Sequence, residues 1–422
     1  MGGLRRPSTT LFPASVSLPR PEGPYRPREV GRSMDDGAPP PGKEAFKVTP
    51  WEVRGKIDYE RLQELFGTSP LDEPVKARLR RLLGTPLHPL LERDIYLSHR
   101  DLPEVLDRYE RGDPFFLYTG RGPSGEVHLA HLLPFELSRY LQQKLGVEFW
   151  VQVTDDEKFL FQGSLSLEET RRLGRENLLD LLALGFDPKK THILFDTASI
   201  RSLYPLALKV AKRVTYSTAK AVFGFTPQNN IGSIFFTAIQ SVPAFLPSAR
   251  AGRPVPCLIP CGIDQDPHFR ITRDVAEPLG YPKPALIHNR LLPGLSGEEK
   301  MSSSAERKDG VIFLNDPPEE VDRKLSRAFT GGRASVEEQR RLGANPEVCS
   351  VWALWRSRFA PDPKEFAEIT RTCRSGELLC GECKRRLIPR VQQFLGEHAR
   401  RRADVERWVD SAIVDGPPGG TA

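Results

Sequence analysis

The chain is poor in cysteine and in long apolar runs, and it carries no strong excess of one charge. Six cysteines in 422 residues are too few for a disulfide framework, which favours a reducing compartment and makes the cytoplasm the expected location. No run approaches the ~18 consecutive apolar residues of a membrane span. Lys+Arg 61 against Asp+Glu 55 leave a formal charge of +6. That mild excess permits a polyanionic partner such as RNA without requiring one. No internal repeat is visible, which argues against a solenoid. Metal ligands are sparse as well. Cys373, Cys380 and Cys383 include one CxxC, but no second CxxC follows and no histidine lies nearer than His398. Structural zinc needs four ligands and the stretch from Ser375 to Leu387 reads as helical, so the three are read as incidental cysteines and no metal site is expected.

What is present divides the chain into five parts. Residues 1–45 are rich in Pro, Arg, Ser and Gly without apolar periodicity, and read as a disordered tail. Its first 21 residues hold three arginines and no acidic residue, which leaves organellar targeting open. Residues 46–110 read as an extension of one short strand (47–53) and helices (57–83, 102–109). Strand and helix then alternate over 111–304. Strands are expected at 115–118, 147–153, 192–195 and 256–263, with helices at 129–145, 167–184, 203–214 and 270–279. This pattern predicts a Rossmann-like α/β domain on a parallel sheet covered on both faces. Residues 305–413 read as an all-α domain, and 414–422 as a disordered end.

Three stretches carry chemistry. The first predicted strand runs into Tyr118-Thr119-Gly120-Arg121-Gly122-Pro123-Ser124-Gly125, which formally contains GxGxxG. A dinucleotide fingerprint is disfavoured because Pro123 has no N–H to offer a pyrophosphate. His128-Leu129-Ala130-His131 follows at the start of a helix. At i and i+3 the two imidazoles share one face of its first turn, where phosphate oxygens are favoured; surface histidines without a ligand are the plain alternative. Much later, Lys300-Met301-Ser302-Ser303-Ser304 follows a Gly/Ser-rich turn and combines a point charge with hydroxyl donors, a composition suited to closing over a polyphosphate.

Together these stretches resemble class I aminoacyl-tRNA synthetases: His128 to His131 matches their first signature and Lys300 to Ser304 their second. The text between them, Gln152-Val153-Thr154-Asp155-Asp156-Glu157-Lys158 and Cys257-Leu258-Ile259-Pro260-Cys261-Gly262-Ile263-Asp264-Gln265-Asp266-Pro267, is similar to the eukaryotic and archaeal tryptophan-specific type. Ala238-Ile239-Gln240 and Tyr281 to Ala285 add to the match, which runs from about Val48 to Ile413. It departs at Ala130, where the signature normally has glycine.

The resemblance implies ATP-dependent activation of L-tryptophan to an adenylate and its transfer to tRNA(Trp), with magnesium arriving on ATP, no tightly bound cofactor and a homodimer. By position it implies catalytic roles for Lys300, Ser302, Ser303, His128, His131 and Lys158. Tyr118 and Gln152 correspond to contacts with the indole N–H, and Glu157, Gln240 and Gln265 to contacts with the tryptophan ammonium. Arg121, Gly122, Gly262, Asp264 and Met301 complete an ATP set with His128, His131, Lys300 and Ser302. Asp155 and Asp156 are expected only to cap the next helix. The helical domain, with basic clusters at Lys384 to Arg386 and Arg400 to Arg402, is implied to read the anticodon. The related tyrosine enzyme and a non-catalytic binding protein on the same scaffold remain the alternatives.

Overall fold

The computed structural model describes residues 47–48, 53–55, 57–161, 163–298, 300–301 and 308–416. The expected N-terminal tail, Ser302 and Ser303 lie outside the described residues. The described strands, in chain order, are β1 (Lys47–Val48), β2 (Val53–Arg54), β3 (Ser69–Pro70), β4 (Tyr96–Arg100), β5 (Phe116–Arg121), β6 (Glu148–Val153), β7 (Thr191–Phe195), β8 (Cys257–Gly262) and β9 (Ala285–Asn289). β1 and β2 form an antiparallel pair. The other seven make one sheet in the order β3-β4-β9-β8-β5-β6-β7. Five of them, β9-β8-β5-β6-β7, are parallel, and β3 and β4 add an antiparallel edge.

The parallel strands show why an apolar run reads as a doubly covered strand. Leu117, Phe149, Val151 and Ile193 point into one core cluster, while the alternate positions Phe116, Tyr118, Trp150 and Leu194 point into another on the opposite face. Helices Leu132–Leu145 and Leu167–Leu182 pack on the first face, and helix Ile200–Ala211 on the second. Gly174 lets its helix approach the sheet, since a Cβ there would stand 2.7 Å from Val153 Cγ1.

Sequence periodicity missed β4 and β9 because both bury polar groups. Ser98 and His288 are fully buried and joined across the two strands, Oγ to Nδ1, at 3.1 Å. The run expected as one helix over 57–83 is two. Gly67 ends the first, Tyr59–Phe66, in the left-handed region at φ 62°; β3 intervenes, and Asp72 caps the second, Glu73–Leu83, by accepting from Val75 N. Likewise Ser375 to Leu387 is not one helix. Helix Pro363–Ser375 stops at Gly376 (φ 82°), and helix Cys380–Glu406 begins after a turn.

Beyond residue 308 the chain is helical among the described residues, and it is tied to the sheet layer by cations. Arg93 donates to the carbonyls of Arg356 (3.1 Å) and Ala360 (2.6 Å), and Arg356 returns a bond to the Arg93 carbonyl (2.6 Å). Arg358 pairs with Glu136, and Arg402 with Glu176 and Asp180. The chain then returns to the sheet. Ile413 bridges Ile193 in parallel, Val414 N donates to the Ile193 carbonyl (2.8 Å), and Ser199 Oγ donates to the Val414 carbonyl (2.8 Å). Val414 and Asp415, expected to open a free end, thus cover the outer edge of β7.

Candidate active site

β6 and β7 lie to one side of β5, and β8 and β9 to the other. Strand order therefore reverses between β5 and β8, and in open α/β sheets the crevice at the carboxyl ends of such strands is the ligand site. The first turn after β5 is tight against the turn after β6. A Cβ at Gly122 would fall 2.4 Å from Lys158 Cε and 2.6 Å from Glu157 Oε2, so any side chain there would push this pair aside. Arg121 is drawn inward, donating from Nε to Asn177 Oδ1 at 3.0 Å, while its Nη2 is buried without a partner. Burial lowers this guanidinium to about 10, against the opposing pull of Glu157.

His128 and His131 come together as the sequence pattern implies, in a short 3₁₀ turn at Leu129–His131 that leads into helix Leu132–Leu145. Their rings stack at 3.5 Å, and His131 Nδ1 accepts from the His128 backbone N–H at 3.2 Å. Both ring nitrogens of His128 are buried and unpartnered. Its pKa is depressed to about 3, first by burial and then by Arg121 and Lys300; His131 is held well below its usual range by the same burial and by Arg121. Both imidazoles are therefore neutral, and each can donate one N–H to an anion.

Lys300 faces this group from the other side. Its Nζ is 2.6 Å from Asp264 Oδ2, at the carboxyl end of β8, and Met301 is buried with its N–H on the Leu292 carbonyl at 2.6 Å. Gly262 is needed here, since a Cβ would meet Asp264 Oδ1 at 2.5 Å. Gln265 donates from Nε2 to Asp264 Oδ2 at 3.3 Å.

Deeper in the crevice, Tyr118 Oη donates to Gln152 Oε1 at 2.5 Å, and Gln152 Nε2 donates to both oxygens of Asp196 at 2.8 and 3.0 Å. Tyr118 also reaches the Gln240 carbonyl at 3.4 Å, and the Phe269 ring stands edge-on to it at 6.1 Å. Glu157 is buried and accepts from Thr154 Oγ1 and Lys158 Nζ, each at 2.6 Å. Burial alone would raise its carboxyl, but Lys158 and Thr154 outweigh it and hold the group below its ordinary range.

Several buried side chains of the crevice have partners that the sequence pattern does not disclose. Asp155 does not cap its own helix; it accepts from Thr197 N (3.1 Å) and the Thr197 hydroxyl at the end of β7. Asp156 does serve the helix start, accepting from Glu157 N at 2.7 Å, but it also meets Asp196. Burial raises both: Asp156 goes to about 7, with Asp155 adding repulsion against a hydrogen bond from Asp196 that pulls it down, and Asp196 goes well above its ordinary value, pushed further by Asp156 and Asp155. His268, one turn beyond Asp264, is buried beside Glu157 and Asp264, and burial lowers it to about 4. Its place at the first turn after a strand end was the one available signal.

Comparison with known proteins now decides the family. The description "tRNA synthetases class I (W and Y)" matches residues 110–396. A tryptophan–tRNA ligase of Pyrobaculum calidifontis is 47% identical over 368 residues, 87% of this chain and 97% of that one. One of Pyrococcus furiosus is 49% identical, covering 87% and 94%. The chain belongs to the tryptophanyl-tRNA synthetases. The solved Plasmodium falciparum tryptophanyl-tRNA synthetase superposes with a TM-score of 0.80 at 34% identity, covering 86% of this chain and 99% of that one. This synthetase keeps alanine at position 130, with its side chain against the larger core cluster.

Proposed function

We propose that the chain activates L-tryptophan with ATP and transfers the tryptophanyl group to tRNA(Trp). The observation that carries the ATP half is the gathering of Arg121, His128, His131 and Lys300 at the strand-order reversal, with buried donors there that have no protein partner. Orphaned buried donors beside cations call for an anionic ligand.

In this reading the tryptophan carboxylate attacks the α-phosphorus of ATP and pyrophosphate leaves. Such catalysis rests on positioning and charge stabilisation rather than on a protein nucleophile. Lys300 leaves Asp264 to meet the charge that develops on pyrophosphate, with Ser302 and Ser303 as further donors. His128 and His131 donate to phosphate oxygens as neutral imidazoles, and Gly122 and Gly262 let the nucleotide approach. Magnesium would enter with ATP and offset part of the phosphate charge. Tyr118 and Gln152 select the indole N–H at the floor of the slot; Glu157, Gln240 and Gln265 hold the ammonium, with Lys158 fixing Glu157. Residues beyond 308 supply the anticodon-reading surface, and the active species is a cytoplasmic homodimer.

The test is ATP–pyrophosphate exchange with each of the twenty amino acids. Tryptophan should be the one that drives it, and exchange driven by tyrosine in its place would overturn the specificity. A site built to hydrogen-bond an N–H rejects analogues lacking it by ~10⁴-fold or more.

A further inference from the structure

Three neighbouring strands set the floor of the amino-acid slot. The synthetase reaction gives two of its side chains a task and leaves the third without one. Tyr118 lies on β5 and Gln152 on β6, while Asp196 is the first residue beyond β7. All three are buried. Asp196 is firmly held. Its N–H donates to the Val153 carbonyl at 3.2 Å, and the next residue, Thr197, donates its N–H to Asp155 Oδ1 at 3.1 Å. Asp156 meets one side of its carboxyl group. On the other side both of its oxygens accept from Gln152 Nε2, at 2.8 and 3.0 Å.

A side-chain amide has a polarity that its shape conceals. The oxygen only accepts and the nitrogen only donates, yet the two ends are close in size and exchange places by a half-turn. Asp196 decides between them. A carboxylate only accepts, so the Gln152 NH2 turns towards it, and a carboxyl oxygen that shares a proton with Asp156 still keeps a lone pair for Gln152. Oε1 is left facing Tyr118, from whose hydroxyl it accepts at 2.5 Å. That bond occupies one of the two lone pairs on Oε1 and the only proton of the Tyr118 hydroxyl. The floor then offers acceptors alone, which is what an indole N–H requires. With the amide reversed, its NH2 would meet the indole N–H donor to donor, and a ring without an N–H would be rejected less strongly.

We propose that Asp196 is a positioning residue for tryptophan recognition: it fixes the orientation of the Gln152 amide, and through it the preference for a ring that carries an N–H. On the reading that Tyr118 and Gln152 contact the indole, on which this rests, Asp196 acts through Gln152 and touches no reacting atom. Its effect falls on the choice between rings and not on the ATP half of the site.

ATP–pyrophosphate exchange by the full chain, with tryptophan and with benzothienylalanine, in which sulfur replaces the indole N–H, reads the preference as a ratio of kcat/KM values. Asp196→Asn can turn an NH2 towards Gln152, so the ratio should fall by ~10-fold or more, through a higher KM for tryptophan and with KM for ATP unchanged. Adding Gln152→Glu, whose carboxylate accepts from that NH2, should recover most of the ratio. A ratio unchanged in Asp196→Asn but lost in Gln152→Leu would overturn the role of Asp196 and leave the indole contacts standing. A ratio unchanged in both would overturn the indole contacts as well. If Asp196→Asn does not fold, Asp196→Ser, whose hydroxyl fixes neither orientation, carries the same expected fall and is judged in the same way.

Discussion

Lys300 shows how little a residue's resting contact reveals of its work. It is paired with Asp264 and partly exposed, which by itself describes an ordinary ion pair. Its significance comes from what lies opposite, two neutral histidines and a buried Arg121. Lys300→Ala should leave tryptophan binding intact, measured by fluorescence quenching, and slow pyrophosphate exchange by ~10²-fold or more. Unchanged exchange would remove the residue from the mechanism. Gly122→Ala forces the Glu157–Lys158 pair aside; because small misplacements near the chemistry can cost ~10²-fold, kcat/KM for tryptophan should fall by about that while Tm stays nearly constant. The Asp156–Asp196 pair gives a pH signature. Asp156 is raised from 3.8 to about 7 in the fold, so the folded state binds the extra proton and the unfolded state does not. Its contribution to stability is full below pH 4 and is lost as pH rises through 7. Asp156→Asn should flatten the fall of Tm between about pH 4 and 7, and an unaltered slope would count against the raised carboxyl.

Among elements, the parallel strands were readable and the polar ones were not. Phe115 to Tyr118 and Val147 to Val153 announce themselves because both faces are buried, whereas Tyr96 to Arg100 hides a strand behind Ser98, bonded to His288 across the sheet, Arg100, held by Asp266, and the buried His99. The same physics limited the site. Tyr118, Gln152, Lys300 and Asp264 stand at strand ends or in signature loops, where spacing points to them. Asp196 and His268 are defined by what they face in three dimensions. Helix boundaries failed where one residue decides them, at Gly67 and Gly376.

The whole molecule depends on a few cations crossing from the sheet layer to the helical region. Arg93 is half-buried, and burial together with Arg356 lowers it to about 10; its bonds to backbone carbonyls fix the orientation of the segment from Trp355 to Asp362. Arg93→Ala removes these bonds without touching the crevice. Pyrophosphate exchange should be retained within about twofold, whereas tRNA charging, which needs both regions in register, should drop by ~10-fold or more. Equal losses in the two assays would mean that Arg93 supports general stability instead.

The outer edge of β7 is closed by a segment that the ribosome makes much later, since Val414 lies 215 positions after Ser199. For about half of its synthesis the chain therefore presents a bare row of backbone donors and acceptors, an invitation to pair with a neighbouring nascent chain. The last described residues act as a selvedge, finishing the weave where Ile413 and Val414 meet Ile193.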